Sequence, residues 1–399
     1  MGGGLSVFRK ILFWVHLGAG LSAGLVVLVM ALTGMTMAFE PQILEAVERN
    51  VRKVEVPEGA SRMNLDELAV IAAGTVKHAR PAGFTVRSEA DRSVVINFGK
   101  NGGAVYMNPY TGAVLGGESR THDFLHQAED IHRRLAWKDK GKAVTGAANT
   151  VMLFLVISGL YLWWPRNWHW NSLKAVLLFN PRLEGKQRDW NWHNAIGFWC
   201  LPMLLVTTLS GLIMSYSWAN TLLFRLAGSD PPPPQKREAA AEPGGKSAEQ
   251  TAPEAARAPL EILFSNAARK SAGWQSISFR LPQKPGAPAT ALILERPNFG
   301  YPKARSQVSL NAVTGDEVKW EPYTSHSRGR VWRAWARYLH TGEALAFPGQ
   351  LLAFVGAAGA VMLVWTGFAM SWRRFFKKGE NRFKAGSQPV LAEGEKACV

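Results

Sequence analysis

The chain has 399 residues, 47% of them apolar, and carries 46 Lys and Arg against 30 Asp and Glu, a formal net charge of +16. Four long apolar runs and no nucleic-acid motif point that charge away from nucleic acid and towards the lipid bilayer and its anionic headgroups. The two cysteines, Cys200 inside an apolar run and Cys398 next to last, exclude a disulfide framework, thiolate-bound zinc and iron–sulfur clusters on ligand count.

In chain order, the first apolar run covers about 11–39. It is too long for the apolar region of a signal peptide and has no clear small-residue cleavage site, so it reads as a retained span. His16 lies a few residues into it. Gly18, Gly20, Gly24 and Gly34 allow either a flat macrocycle or another helix to approach its backbone. A long polar loop, about 40–142, follows; it has a helical stretch at 64–78 and a strand–turn–strand pattern from Val105 to Val114 with Asn108, Pro109 and Gly112 at the turn. His78 reads as a surface residue of this loop. Towards its end come His122, His126 and His132, the last followed by Arg133 and Arg134.

The second span, about 143–165, leads into a short basic segment flanked by Trp163, Trp164, Trp168, Trp170, Trp190 and Trp192, an interfacial belt in which His169 reads as a headgroup contact. His193 stands at the start of the third span, about 194–224. The stretch 229–258, with Pro231 to Pro234 and then Ala, Glu, Lys and Gly, cannot bury a core and reads as a disordered or extended linker. A helical stretch at 259–272 and a second strand–turn–strand from Val308 to Val318 follow, then His326, a cluster of Arg328, Arg330, Arg333 and Arg337 with Trp332 and Trp335, and His340. The fourth span, about 348–372, precedes a tail that reads as disordered.

Two halves of the chain match. His16 lies 18 residues before Gly34 and His193 18 before Gly211, while His132 lies 27 before Gly159 and His340 27 before Gly367. Thr33, Ser210, Ser158 and Thr366 stand directly before those glycines. The interval from His16 to Gly112 is 96 residues and that from His193 to Gly315 is 122, an excess of 26 that removal of the proline-rich linker restores. The unit is a span, an outer α+β module and a second span, repeated in one orientation, which predicts a pseudo-twofold axis along the membrane normal.

Arg9 and Lys10, then Arg166, Lys174, Arg182, Lys186 and Arg188, then Arg373, Arg374, Lys377, Lys378, Arg382 and Lys384 all fall on one side of the four spans. The positive-inside rule makes that side the cytoplasm, with both termini there and both long loops outside. Pseudo-symmetry then pairs His16 with His193 near the inner face and His132 with His340 near the outer. Two neutral imidazoles facing each other across a bundle are the axial ligands of a b-type haem, so two haems are expected, one per leaflet. Levels 18 residues apart on a helix are separated by roughly 27 Å, which two haems divide into shorter electron hops. His122, His126 and His326 are rivals for the outer positions. Arg133, Arg333 and Arg337 are candidates for haem propionates, and Arg328, Arg330 and Trp332 for an anionic substrate; a solvated basic face is the plain alternative. The sequence offers no Gly-x-Gly-x-x-Gly after a strand, no P-loop and no flavin domain. The electron donor is then a separate protein, a free reduced flavin, or quinol in the bilayer.

The run Ile131–Leu135, the run Ser158–Trp164, the run Trp192–Gly197 and the run Tyr338–Gly342, together with the two Asn-x-x-Thr-Gly turns, resemble the PepSY-associated transmembrane family over about 5–375. That resemblance implies an iron-regulated protein of the bacterial inner membrane, among whose relatives are ferric-siderophore reductases of the ferrioxamine-reductase type. It also implies b-type haem and electron transfer from the cytoplasmic side to ferric chelates in the periplasm. The expectation is therefore a membrane α-helical protein: a four-span bundle built from a parallel internal repeat, with two small periplasmic PepSY-like modules at 41–121 and 259–325. The remaining segments are 1–40 (first span), 122–166 (interfacial helix and second span), 167–228 (cytoplasmic loop and third span), 229–258 (linker), 326–378 (interfacial helix and fourth span) and 379–399 (tail). Two other functions fit the same residues: a haem-carrying subunit serving another acceptor, and a haem-free PepSY binding or regulatory protein.

Overall fold

A computed structural model describes residues 2–76, 81–99, 103–164, 169–232, 257–282, 287–296 and 303–376. His78, Trp168, Cys398, most of the proline-rich stretch and the tail lie outside the described residues.

The first half runs α1 (Gly2–Met37), α2 (Glu40–Val47), α3 (Arg49–Arg52), α4 (Leu65–Thr75), β1 (Gly83–Arg87), β2 (Val94–Asn97), β3 (Ala104–Met107), β4 (Val114–Gly117), α5 (Arg120–Arg134) and α6 (Lys138–Trp163). After α7 (Trp170–Leu177) comes the second half. It runs α8 (Gly185–Ser215), α9 (Ser217–Leu226), α10 (Leu260–Ala268), β5 (Trp274–Arg280), β6 (Ala289–Glu295), β7 (Ala304–Leu310), β8 (Glu317–Glu321), α11 (Arg328–His340) and α12 (Ala346–Phe375). Among the described residues, four segments are long and apolar enough to cross a membrane: Val7–Met37, Lys138–Trp163, Gly185–Ser215 and Glu343–Phe375. The third span is shorter at its far end than the apolar pattern suggests. Tyr216 is extended (φ −119°, ψ 133°) and breaks the helix, and α9 restarts as an amphipathic helix that buries Ala219 and Phe224 and exposes Trp218, Leu222 and Leu226.

The chain divides into two compact units. The first gathers Met1–Met35, Ile131–Leu209 and Leu352–Val399. Its spans meet through apolar residues, alanines prominent among them: Ala31, Val156, Cys200, Leu204 and Ala360 form one buried cluster and Ala23, Val27 and Ala148 another. A Cβ on Gly359 would stand 2.3 Å from Cys200 Sγ and one on Gly356 would stand 2.8 Å from Met203 Cβ, so α8 and α12 are in contact at backbone range. Buried polar groups find partners: Asn149 donates to the Thr208 carbonyl at 2.9 Å, and Asp189, 1% exposed at its side chain, accepts from Arg373 at 2.6 Å and Arg188 at 3.0 Å.

The second unit gathers Thr36–Asp130 and Ser210–Leu351. Its strands form one antiparallel eight-stranded sheet in the order β4-β3-β2-β1-β5-β6-β7-β8. The sequence pattern suggests two separate small sheets. Instead the first strand of each half pairs with its counterpart, Phe84 opposite Phe279, and the two rings stack with centroids 4.6 Å apart. Each half alone would leave β1 or β5 as a bare edge with unpaired amides; joining them satisfies both. One apolar core runs under both halves, from Leu68, Ala72, Phe84 and Ile96 to Leu263, Ile277, Ile293 and Leu310. The helices on it cap each other. Asp66 of α4 accepts from the Leu260 and Glu261 amides at 2.8 and 3.2 Å, and Glu261 of α10 accepts from the Leu65 amide at 3.0 Å. The two Asn-x-x-Thr-Gly turns have the same geometry. Gly112 (φ +70°) and Gly315 (φ +79°) return their amides to the Asn108 and Asn311 carbonyls at 3.0 and 2.9 Å.

Glu48 ties the start of this unit together. Its carboxylate is buried and accepts from the Ser119 amide (3.0 Å), the Ser119 hydroxyl (2.8 Å) and Arg52 Nε (2.8 Å). Burial alone would raise its pKa; the hydrogen bonds from Ser119 and Arg52 outweigh that and hold it below its ordinary 4.5. Its contribution to stability is therefore fully present above 4.5 and disappears as pH falls through the lowered folded value. Glu48→Gln is expected to cost about 1.5–3 kcal/mol at neutral pH, the range for hydrogen bonds to a charged group. It should also flatten the acid limb of the thermal-unfolding midpoint plotted against pH; an unchanged limb would show that the carboxylate is not the group titrating there.

Candidate histidine centre

Each of the four histidines is held at Nδ1 by a hydroxyl that precedes one of the repeat glycines. His16 Nδ1 meets Ser158 Oγ at 2.8 Å and His193 Nδ1 meets Thr366 Oγ1 at 2.8 Å. His132 Nδ1 stands 3.2 Å from Thr33 Oγ1, and His340 Nδ1 3.0 Å from Ser210 Oγ. The partner always lies on the other span-bearing segment of the same half: α1 with α6, α8 with α12, α5 with α1, and α11 with the end of α8. The residues that mark the repeat in the sequence are thus the anchors of the histidines, a role that spacing alone does not disclose. The signal was present in the recurrence of a hydroxyl, and no other polar type, directly before each glycine.

The network assigns the tautomer. Ser158 Oγ donates its proton to the Phe154 carbonyl at 2.7 Å, and Thr366 Oγ1 donates to the Met362 carbonyl at 2.8 Å. Each oxygen must then accept from its histidine, so Nδ1 carries the hydrogen in His16 and His193. His132 Nδ1 also faces the Met30 carbonyl at 2.9 Å, which only accepts, and is a donor for the same reason. A neutral imidazole with Nδ1–H offers its lone pair at Nε2, the state in which histidine binds a metal, with the hydroxyl as the outer partner that fixes the ring.

Glycine lets the rings lie against the helices. A Cβ on Gly159 would stand 3.4 Å from His16 Cε1, one on Gly34 3.5 Å from His132 Cε1, and one on Gly367 3.8 Å from His193 Cε1. At the first two, an alanine Cβ would already be in van der Waals contact with the imidazole, leaving little room for a longer side chain. His16 and His193 line one cavity of about 1310 Å³ between the spans, larger than the roughly 300–1,000 Å³ of ordinary small-molecule pockets. Its walls around and beyond the histidines are apolar, with Gly20, Gly24, Leu201 and Phe368 among them. Among the described residues no group of three or more His, Cys, Asp or Glu is arranged to hold a metal ion. Two histidines on a large apolar slot suit an iron that brings its own equatorial ligands, and the donor set and cavity fit a b-type haem.

In the second unit, His340 ends α11, and Gly342 (φ +77°) turns the chain into the short 3-10 turn before α12. In the first, His132 occupies the last turn of α5, and Leu135, Ala136 and Lys138 at positive φ turn the chain sharply into α6. Of the rival histidines, His122 Nδ1 is 3.5 Å from Glu118, and His326 directly follows the 3-10 turn Tyr323–Ser325. Of the arginines, Arg333 donates to Asn220 of α9, and Arg330 lies 3.6 Å from Glu321, so both also serve the fold. Arg328, Arg337 and Trp332 are exposed on α11. The Arg133 carbonyl accepts from the Thr145 hydroxyl at 3.0 Å.

The four apolar helices of spanning length among the described residues make this a multi-pass helical membrane protein. The family described as the PepSY-associated TM region matches residues 13–374, and the chain belongs to that family. A comparison with curated protein sequences gives no match.

Proposed function

We propose that this protein is a di-haem b reductase of the bacterial inner membrane that moves electrons outward to reduce periplasmic ferric siderophore and release ferrous iron. His16 and His193 hold the inner haem, and His132 and His340 the outer. The observation that carries this reading is the anchoring of all four Nδ1 atoms on hydroxyls at repeat-equivalent positions. Ordinary interfacial histidines have no need of a fixed ring, whereas metal ligands do. The repeated element order and the matching pairs support a parallel repeat with a pseudo-twofold axis along the membrane normal. When bound, a b-type haem supplies a one-electron carrier. The chain's own part is to fix the imidazoles, exclude water from the slot and keep the two levels apart. Electrons come from a cytoplasmic donor or from quinol. Ferrous iron binds hard oxygen chelators far less tightly than ferric iron, so reduction releases it.

The Lys and Arg distribution supports a topology with both termini in the cytoplasm and both PepSY-like halves in the periplasm. Reporter fusions at residues 240 and 390 should give opposite answers, and equal answers would reject this topology.

The activity is tested by adding ferric chelates to dithionite-reduced protein. Reoxidation with formation of ferrous iron is expected for at least one siderophore class; reduced protein that no ferric chelate reoxidises would point to another acceptor. Arg328, Arg330 and Trp332 are the proposed approach for an anionic chelate. Replacing both arginines with Gln should slow that reaction at low salt and leave it nearly unchanged at high salt, where screening acts over roughly 8–10 Å.

A further inference from the structure

The cavity that holds His16 and His193 is polar at one end only. Arg9, Lys10, Lys186 and Arg374 line one mouth, whereas the walls on the other side of the histidines, at Leu21, Val27, Met152 and Leu204, carry no charge. Along their helices the cations stand at similar heights. Lys10 is six residues from His16, Lys186 seven from His193, and Arg374 eight from Thr366, which anchors His193. At 1.5 Å per residue these are displacements of roughly 9–12 Å, all towards the same mouth.

One of the four cations is committed to the fold: Arg9 donates to the Leu162 and Trp164 carbonyls and closes the end of α6. The other three form no ion pair among the described residues. Arg374 lies over the rings of Trp14 and Phe13, 4.7 and 5.1 Å from their centroids, which fixes its guanidinium beside the mouth. A carboxylate buried against the apolar end of the slot would lose its hydration with nothing to replace it, which is prohibitive. At the basic mouth it would gain charge-assisted hydrogen bonds.

We propose that Lys10, Lys186 and Arg374 form a carboxylate-binding mouth that orients the inner macrocycle with both propionates towards the N-terminal end of α1. This rests on the haem reading above and adds an orientation to it. These are positioning residues. Their spacing leaves the electron-entry side of the slot charged and the side towards the outer haem apolar.

Lipid phosphates offer similar anionic chemistry, and the test separates the two sources. Full-length protein made without haem, in a His132→Ala, His340→Ala background, is titrated in detergent with protohaem and with its dimethyl ester, following the Soret band. The wild-type mouth should bind protohaem roughly ten-fold or more tightly than the ester, the scale of one charge-assisted hydrogen bond. Lys10→Gln, Lys186→Gln and Arg374→Gln combined should bind the ester as before and lose the preference. Retained ester binding shows that the fold and the histidines are intact. Equal affinity for acid and ester in the wild-type mouth would overturn the proposal and assign the cations to headgroups, leaving the haem reading standing. Failure to bind either compound would remove both.

Discussion

Replacing His193 with alanine is expected to remove one of two haems and leave the other in place. The His193 ring is held between Thr366 Oγ1 and Gly367, on a slot that His16 shares and that His132 does not line. Alanine would take away one of the two imidazoles proposed to hold the inner haem and would open a void beside α12. Neither change touches the Thr33 and Met30 groups that anchor His132, or the Ser210 hydroxyl that anchors His340. The haem content per chain should fall to about half, and the lost component should be the same in His16→Ala. His132→Ala and His340→Ala should each remove the other component. If the four single variants all keep full haem, the assignment of ligands is wrong. If each loses everything, the two centres are not separable as argued.

A second large effect is expected at Gly83, the first residue of β1. A Cβ there would stand 2.3 Å from the Phe279 carbonyl oxygen, a backbone atom that cannot rotate away. Gly83 pairs with Arg280 at the end of the β1–β5 ladder, the strand pairing that joins the two halves of the sheet. Gly83→Val must therefore spread the ladder at this point, with a cost of about 1–3 kcal/mol or more by analogy with overpacked cores. Hydrogen exchange in the full-length protein should show the β1 and β5 amides losing protection while β6 and β7, paired through seven residues, keep theirs. Unchanged exchange along Trp274–Arg280 would mean that the halves are held together chiefly by their shared core and not by this ladder.

Much of this arrangement is legible in the sequence, and the parts that are not have physical reasons. Span positions follow from apolar length, and the two Asn-x-x-Thr-Gly turns from local turn chemistry, because both depend on neighbours in the chain. The four histidines stand out because a repeat places them at equal intervals from glycine. Their hydroxyl partners are hidden, since His16 and Ser158 are 142 residues apart and meet only when two spans pack. The β1–β5 pairing is equally long-range, and an alternating pattern is the same for an edge strand and a central one. The break at Tyr216 is masked by apolar residues on both sides; the change from an all-apolar span to the one-sided stripe of Trp218, Leu222 and Leu226 is its trace. The arginines of α11 read as a ligand patch in sequence, but Arg330 and Arg333 also have Glu321 and Asn220 to satisfy.

Whether this chain carries two b-type haems on four histidines is read from the visible spectrum of the purified full-length protein. Reduction with dithionite should give the sharp α and β bands of low-spin b haem, and the pyridine haemochrome assay should return two haems per polypeptide. A colourless protein, after expression with ample haem supply, would rule out haem on these histidines and leave a PepSY-family membrane protein that works without it.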